Sequence, residues 1–223
     1  MPVLNESKYL GDVLKFETED LYCREAVTVL AGSGATRELT VGMVLGKITK
    51  GAAVGAADAG NTGDGTITAA PAVGQAAKPG VYRITCIEPA TNGGRFAVED
   101  PGGVQIGVAA VGVEFSTHLT FTIADGATDF VAGDVFTITV AAGSGKVKQI
   151  DFSATDGSDQ AYGVLCYDAT APDGADVESA AVVRGPAVVA KNGLVWPDGT
   201  TADQKAAATA QLEAAGILVR EGA

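Results

Sequence analysis

The stretch from Phe115 to Ile123 alternates strictly. Phe115, Thr117, Leu119, Phe121 and Ile123 point one way, and Glu114, Ser116, His118, Thr120 and Thr122 the other. A period of two puts one set of side chains on a buried face and the other in water, which only a β-strand does. The same reading recurs along the chain. Cys23 to Leu30 is β-branched and ends at Ala31-Gly32-Ser33-Gly34. Leu39 to Ile48 is rich in Val, Leu and Ile. Val81 to Glu88 sets Tyr82, Ile84 and Cys86 on one face and Arg83 and Thr85 on the other. Arg95 to Val98 follows an Asn92-Gly93-Gly94 turn, Asp134 to Val140 follows Gly133, and Ala161 to Tyr167 is short and apolar. Ser179 to Lys191 and Leu194 to Trp196 flank Asn192-Gly193, which predicts a type I′ hairpin. One helix is expected. Thr201-Ala202-Asp203-Gln204 forms a capping box ahead of the Ala-rich stretch 202–215, and Gly216 supplies the stop before Ile217, Leu218 and Val219.

Composition breaks this pattern once. GAAVGAADAGNTGDG, residues 51–65, has no large side chain and reads as a linker or flexible loop, a character that residues 71–79 continue. The strands after Gly80 then make a compact antiparallel β unit over about 66–142, inserted between two flanking parts. The first 20 residues are polar with scattered apolar anchors and read as an extended arm that orders on a partner.

The 223 residues carry a net charge of −12, which disfavours contact with the phosphates of nucleic acid and suits a partner with basic patches. Seven carboxylates and no Lys or Arg lie between Asp151 and Val183, as on a solvated loop-rich face. Residues 1–11 lack a basic segment followed by an apolar run, and no stretch of about 20 apolar residues occurs. Neither a secretory leader nor a membrane span is therefore expected, and the place of synthesis is the reducing cytoplasm.

Catalytic patterns are wanting. The one histidine, His118, falls on the polar face of its strand, so triads and His-based metal sites lack their main member. Gly143-Ser144-Gly145-Lys146 has neither the leading Gly nor the following Ser or Thr of a phosphate loop, and reads as a turn. The carboxylates of residues 168–178 do not follow calcium-loop spacing. Cys23, Cys86 and Cys166 are too far apart in sequence for a metal motif or disulfide framework. Trp196 reads as a core residue closing the hairpin onto the helix, or as packing at a subunit boundary. These residues predict no enzyme and no cofactor.

Leu194-Val195-Trp196-Pro197-Asp198, then Thr200 to Lys205, the Ala-rich helix and Gly216-Ile217-Leu218-Val219, resemble the C-terminus of the head decoration protein D family of lambda-like phages. Ala154-Thr155-Asp156-Gly157 leading into Ala161 to Leu165, and the strand Leu39 to Ile48, are similar to further parts of it. The resemblance covers about 22–50 and 146–220. It implies a mainly β fold, a β-clip or β-tulip core with one C-terminal α-helix, carrying here an inserted small antiparallel β domain. The division it suggests is an N-terminal capsid-binding arm over 1–21, a core of 22–50 and 146–223, and a linker with inserted domain over 51–145. It further implies a structural protein that binds the major capsid protein as homotrimers, at three-fold and quasi-three-fold sites outside the expanded head, and stabilises the shell against DNA pressure. Leu4, Tyr9, Leu10, Val13, Leu14 and Phe16 are the expected capsid-contacting residues, with Trp196 and Pro197 structural. A phage surface binding module, or a tail or baseplate protein, is the alternative.

Overall fold

A computed structural model describes residues 8–221. The chain is mostly strand, with one long helix near its C-terminus, and divides into two compact units, residues 1–48 with 145–223, and 49–144.

In the first unit five strands close a barrel in the order Val147–Gln149, Arg24–Val29, Val177–Val182, Ala161–Leu165, Val44–Lys47. Only Val147–Gln149 against Arg24–Val29 is parallel. Val27, Val29, Leu45, Val147, Leu165 and Ala181 fill one core cluster. Their sequence neighbours Val44, Val164, Cys166 and Val182 belong to another cluster. Successive side chains of a strand point to opposite faces, so both faces of this wall are buried, and the strands read as unbroken apolar runs rather than alternating ones. The second cluster is completed by a three-stranded sheet, in the order Leu14–Glu17, Ala187–Ala190, Ile217–Arg220, and by the helix Ala202–Ala214.

That helix begins as expected. Thr201 Oγ1 accepts from Gln204 N at 3.2 Å, and Gln204 Oε1 accepts from Thr201 N at 2.9 Å. Gly216, at φ +82°, takes the left-handed conformation that ends it. Only Ala208 and Leu212 of the helix are buried, and Gln211 Oε1 ties it to the barrel by accepting from Ala161 N at 2.6 Å.

Two strands expected in one piece are broken. Leu39 to Ile48 divides into Arg37–Leu39 and Val44–Lys47, and Ser179 to Lys191 into Val177–Val182 and Ala187–Ala190. Asn192-Gly193 is no hairpin turn: Lys191–Gly193 is a 3₁₀ turn. Ala187–Ala190 pairs instead with Leu14–Glu17 and, in parallel, with Ile217–Arg220, partners distant in sequence.

In the second unit five antiparallel strands follow the order Gln105–Ala110, Gly93–Glu99, Gly80–Ala90, Val135–Ala142, Lys50–Ala57. Two small sheets complete it, Phe115–Ser116 with Leu119–Phe121 and Ala72–Val73, and Ile123–Ala124 with Thr66–Ile67. Five of the seven phenylalanines lie in its core. The rings of Phe96 and Phe130 meet edge to face at 5.0 Å, and Phe136 packs on both. The alternation from Phe115 to Ile123 places Phe115, Leu119, Phe121 and Ile123 inside. The run is nevertheless folded back, with Phe115 opposite Phe121 and Ser116 opposite Thr120, which leaves Thr117 exposed at the bend. His118 is half-buried rather than on a polar surface, its ring edge-on to Tyr82 at 6.2 Å.

Residues 51–65 are not a linker. Lys50–Ala57 is an eight-residue edge strand paired with Val135–Ala142. A segment without large side chains is ordered here by its backbone and by polar side chains from elsewhere. Asp134, 4% exposed, accepts from Thr62 N, Gly63 N and Val131 N at 2.8–3.0 Å. Asn61 makes a reciprocal pair of bonds with the backbone of Val135. The buried Lys50 ammonium donates to the carbonyls of Gly74, Gln75 and Ala77, which fixes the turn at 74–77.

Burial alone would raise the pKa of Asp134, but the three N–H donors stabilise its carboxylate more, so its pKa lies below the usual range. Its contribution to stability is therefore complete above about pH 4, where the unfolded carboxyl ionises, and fades as pH falls below that. Asp134→Asn is expected to cost roughly 1–3 kcal/mol, because an amide cannot offer three N–H groups the same acceptors. Urea unfolding at pH 7 and pH 3.5 checks this; the variant's loss should be smaller at the lower pH.

In the first unit Ile48 N donates to Lys146 O and Gly145 N to Ile48 O, both at 2.9 Å, so its two cut ends lie side by side as in a hairpin. Replacing residues 49–144 by Asn-Gly is expected to leave a cooperatively folding protein. Its melting transition should stay within about 5 °C of the intact chain's, as a change of about 1 kcal/mol would produce. Calorimetry of the shortened chain tests it.

Candidate functional site

The expected arm residues do not form one extended tail. Leu4 lies outside the described residues. Tyr9 opens a single helical turn, Leu10–Val13, closed by Tyr9 N donating to Asp12 Oδ2 and Asp12 N donating to Tyr9 O, both at 2.9 Å. Val13 is 1% exposed. It wedges against two glycines at which a β-carbon would collide. At Gly42 such an atom would lie 2.5 Å from Gly193 O and 3.0 Å from Val13 Cγ2; at Gly193 it would lie 2.9 Å from Asp12 O. Leu10 and Leu14 are half-buried against the same core.

Leu14–Glu17 then adds to Ala187–Ala190 as an antiparallel edge strand, continued by Thr18 N donating to Pro186 O at 3.2 Å. The turn Asp20–Cys23 brings Cys23 into the core. Residues 8–21 are thus part of the first unit's fold, because the apolar anchors at 10, 13 and 14 find a core to fill.

Fixing those anchors turns the remaining large side chains outward. Tyr9 is 63% exposed, Phe16 54%, Leu21 87%, Tyr22 55% and Tyr167 52%. Charged pairs interleave them. Arg24 makes a two-pronged bond to Glu17 and donates to Tyr167 Oη at 3.1 Å. The bond to Glu17 holds the Arg24 guanidinium above even its ordinary pKa. Arg184 pairs with Glu25, donates to Tyr22 O at 2.7 Å and lies over the Tyr22 ring at 5.4 Å. Tyr9 and Tyr167 line one shallow groove, of about 490 Å³, with Leu10, Val41 and Cys166. Phe16 lines another, of about 320 Å³, with Leu14, Lys15 and Arg24. The outer edge of Leu14–Glu17 has no backbone partner among the described residues.

Tyr22, Leu21 and Tyr167 were absent from the sequence expectation. Leu21-Tyr22 sits beside Glu19 and Asp20, a large apolar pair in a charged setting, and that was the available signal. Nothing local marks Tyr167. Trp196 is half-buried against the helix-side core and not in a hairpin, since Val195 bonds both Gly42 and Val44. Pro197 is half-buried on a polar groove of about 590 Å³ with Arg37, Lys148 and Asp151, and its carbonyl accepts from Thr200.

The acidic run is structural. Asp168 accepts from Val41 N, Asp173 from Gly34 N, Asp176 from Ala31 N and Glu178 from Thr28 Oγ1, at 2.7–2.9 Å. Asp176 also pairs with Lys146, which lowers its pKa. No three of His, Cys, Asp and Glu converge as a metal site among the described residues. The three thiols are buried, and burial pushes Cys166 up to about 11, so it stays protonated at neutral pH. No described helix is long and apolar enough to cross a membrane. The arrangement presents a fixed, partly aromatic surface.

No curated protein matches the chain. Two crystal structures of FlgL from Xanthomonas campestris are 15% identical to it, with TM-scores of 0.32 and 0.30 over 52% of this chain; similarity of that degree does not define a shared fold. The chain spans about two fifths of their length, 41% and 40%. The family model described as bacteriophage lambda head decoration protein D matches residues 3–87 and 85–217. Together these matches span nearly all of the sequence, and the chain belongs to the bacteriophage lambda head decoration protein D family.

Proposed function

We propose that this chain decorates the outside of an expanded phage head as homotrimers at three-fold and quasi-three-fold sites, bridging major capsid protein subunits and stabilising the shell against the pressure of packaged DNA. In this reading the first unit is the β-tulip core, the unit of residues 49–144 is a protrusion, and the protein is made in the host cytoplasm and ends on the virion surface. Membership of the decoration family supports the capsid role. The single observation that carries the contact surface is the cluster of exposed Tyr9, Phe16, Leu21, Tyr22 and Tyr167 beside a free strand edge.

Large amphipathic rings bury much apolar area at small cost in side-chain entropy, and they dominate the energetics of protein interfaces. The other unit exposes only Val and Ile among its large apolar side chains. A capsid segment laid along Leu14–Glu17 would extend the three-stranded sheet by main-chain hydrogen bonds, with Phe16 and its neighbours selecting the side chains. Leu10, Val13 and Leu14 support this surface from beneath rather than touching the capsid, and Leu4 remains a contact by sequence alone. Three such sites per trimer would bind with avidity that no single site needs. The charge of −12 favours a basic landing surface.

Co-sedimentation with expanded, undecorated heads tests the proposal. Phe16→Ala and Tyr22→Ala are expected to weaken binding about 10–100-fold, the loss of an interface anchor, with the melting temperature lowered by no more than about 5 °C because more than half of each side chain is already in water. Val13→Ala should instead lower the melting temperature. Wild-type affinity for both ring variants, or failure of the wild type to bind, would refute the site or the role respectively.

A further inference from the structure

The sequence holds two Asn-Gly pairs, Asn92-Gly93 and Asn192-Gly193, and the fold treats them in opposite ways. In such a pair the backbone nitrogen of the glycine can approach the side-chain carbonyl carbon of the asparagine. Glycine has no β-carbon to obstruct the approach and has the freest backbone of any residue. How often the two atoms meet is then set by how far the surrounding chain can move.

Asn92 is exposed at the tip of the hairpin that joins Gly80–Ala90 to Gly93–Glu99, where Ala90 pairs with Gly93. It takes φ +53°, and Gly94 follows at φ +140°. Space around Gly93 is open: a β-carbon there would meet nothing closer than 3.9 Å. The tip is tied to the rest of its unit by Asn92 N donating to Asp129 Oδ1 at 2.8 Å, a bond between two exposed residues. A hairpin tip held in this way opens at a small fraction of the free energy of global unfolding.

The other asparagines are restrained. Asn192 lies in the 3₁₀ turn Lys191–Gly193, and its glycine is buried. A β-carbon at Gly193 would lie 2.9 Å from Asp12 O and 3.0 Å from Val13 Cα, so the backbone there is clamped by the N-terminal segment. At Asn61 the attacking atom would be Thr62 N, which donates to Asp134 at 2.8 Å, and the Asn61 amide is bonded through both its oxygen and its nitrogen to the backbone of Val135. Asn5 lies outside the described residues.

We propose that Asn92 is a site of spontaneous deamidation. Gly93 N bonds to Asn92 Cγ, the Cγ–Nδ2 bond breaks, and the displaced nitrogen leaves as ammonia, carrying the proton that Gly93 N gives up. Water then opens the cyclic imide at one carbonyl or the other, which leaves aspartate or isoaspartate at position 92. Each event adds one negative charge to a chain whose net charge is −12, and places it beside Asp129. The isoaspartate product also lengthens the main chain by one carbon and loosens the pair Ala90–Gly93. Neither step needs a partner, so the proposal stands whether or not the chain binds a phage head.

Ageing the full chain at mildly alkaline pH, followed by digestion and mass measurement of the peptides, tests it. Conversion at position 92 is expected to run roughly tenfold or more ahead of that at position 192, because only the latter must first open a packed backbone. In denaturing urea both sites are unrestrained Asn-Gly pairs, and their rates should become similar. Gly93→Ala puts a methyl group into open space on the attacking residue, so it should slow conversion at position 92 with the circular dichroism spectrum unchanged. Conversion at position 192 as fast as at 92 in the folded chain, a difference that persists in urea, or a Gly93→Ala rate equal to that of the wild type would each overturn the proposal.

Discussion

Burial of the barrel wall on both faces is the constraint on which the first unit depends. Val44 and Leu45, Val164 and Leu165, and Ala181 and Val182 are adjacent in sequence yet serve opposite cores. A shift of register by one residue would exchange the two clusters, so the wall admits one alignment. The three-stranded sheet and the helix rest on its outer side, and the exposed aromatics rest on that sheet. Val13, held between Gly42 and Gly193, is the point at which the N-terminal segment is committed to the same core. The rigidity of the surface thus comes from packing some distance beneath it, and the exposed rings are spared from stabilising the fold.

Carboxylates do structural work throughout an acidic chain. Asp168, Asp173 and Asp176 each accept a backbone N–H from the loops between residues 31 and 41, and Asp134 accepts three in the other unit. A carboxylate offers several acceptor sites and bonds N–H groups more strongly than a neutral oxygen does. Loops made of Gly, Ala and Thr, with nothing to bury, are held by this means.

The aromatic residues divide by role between the units. Phe96, Phe115, Phe121, Phe130 and Phe136 make the core of residues 49–144, while Tyr9, Phe16, Tyr22 and Tyr167 stand in water on the other unit. The one core is rich in rings, the other consists mainly of Val, Leu, Ile and Ala, with Phe152, Tyr162 and Trp196 only partly buried against it. Tyr9, Phe16, Tyr22 and Tyr167 therefore stand apart from both cores.

Local signals were legible in the sequence and long-range pairing was not. The capping box at Thr201, the stop at Gly216 and the turn at Asn92, which adopts φ +53°, depend on atoms a few residues apart. The inward set Phe115, Leu119, Phe121 and Ile123 followed from a period of two, although the bend at Thr117 did not. Asn192-Gly193 failed as a hairpin because Ala187–Ala190 finds its neighbours at Leu14–Glu17 and Ile217–Arg220, and a local turn preference is small beside two ladders of hydrogen bonds and a buried face. Residues 51–65 failed as a linker because the partner strand and the ordering side chain, Asp134, come more than 70 residues later. The sequence by itself determined a β-rich chain with one capped helix and a family resemblance at its C-terminus. Which apolar residues of the N-terminal segment face water was decided only by tertiary structure, because exposure depends on which anchors find a core, and that core is assembled from strands distant in the chain.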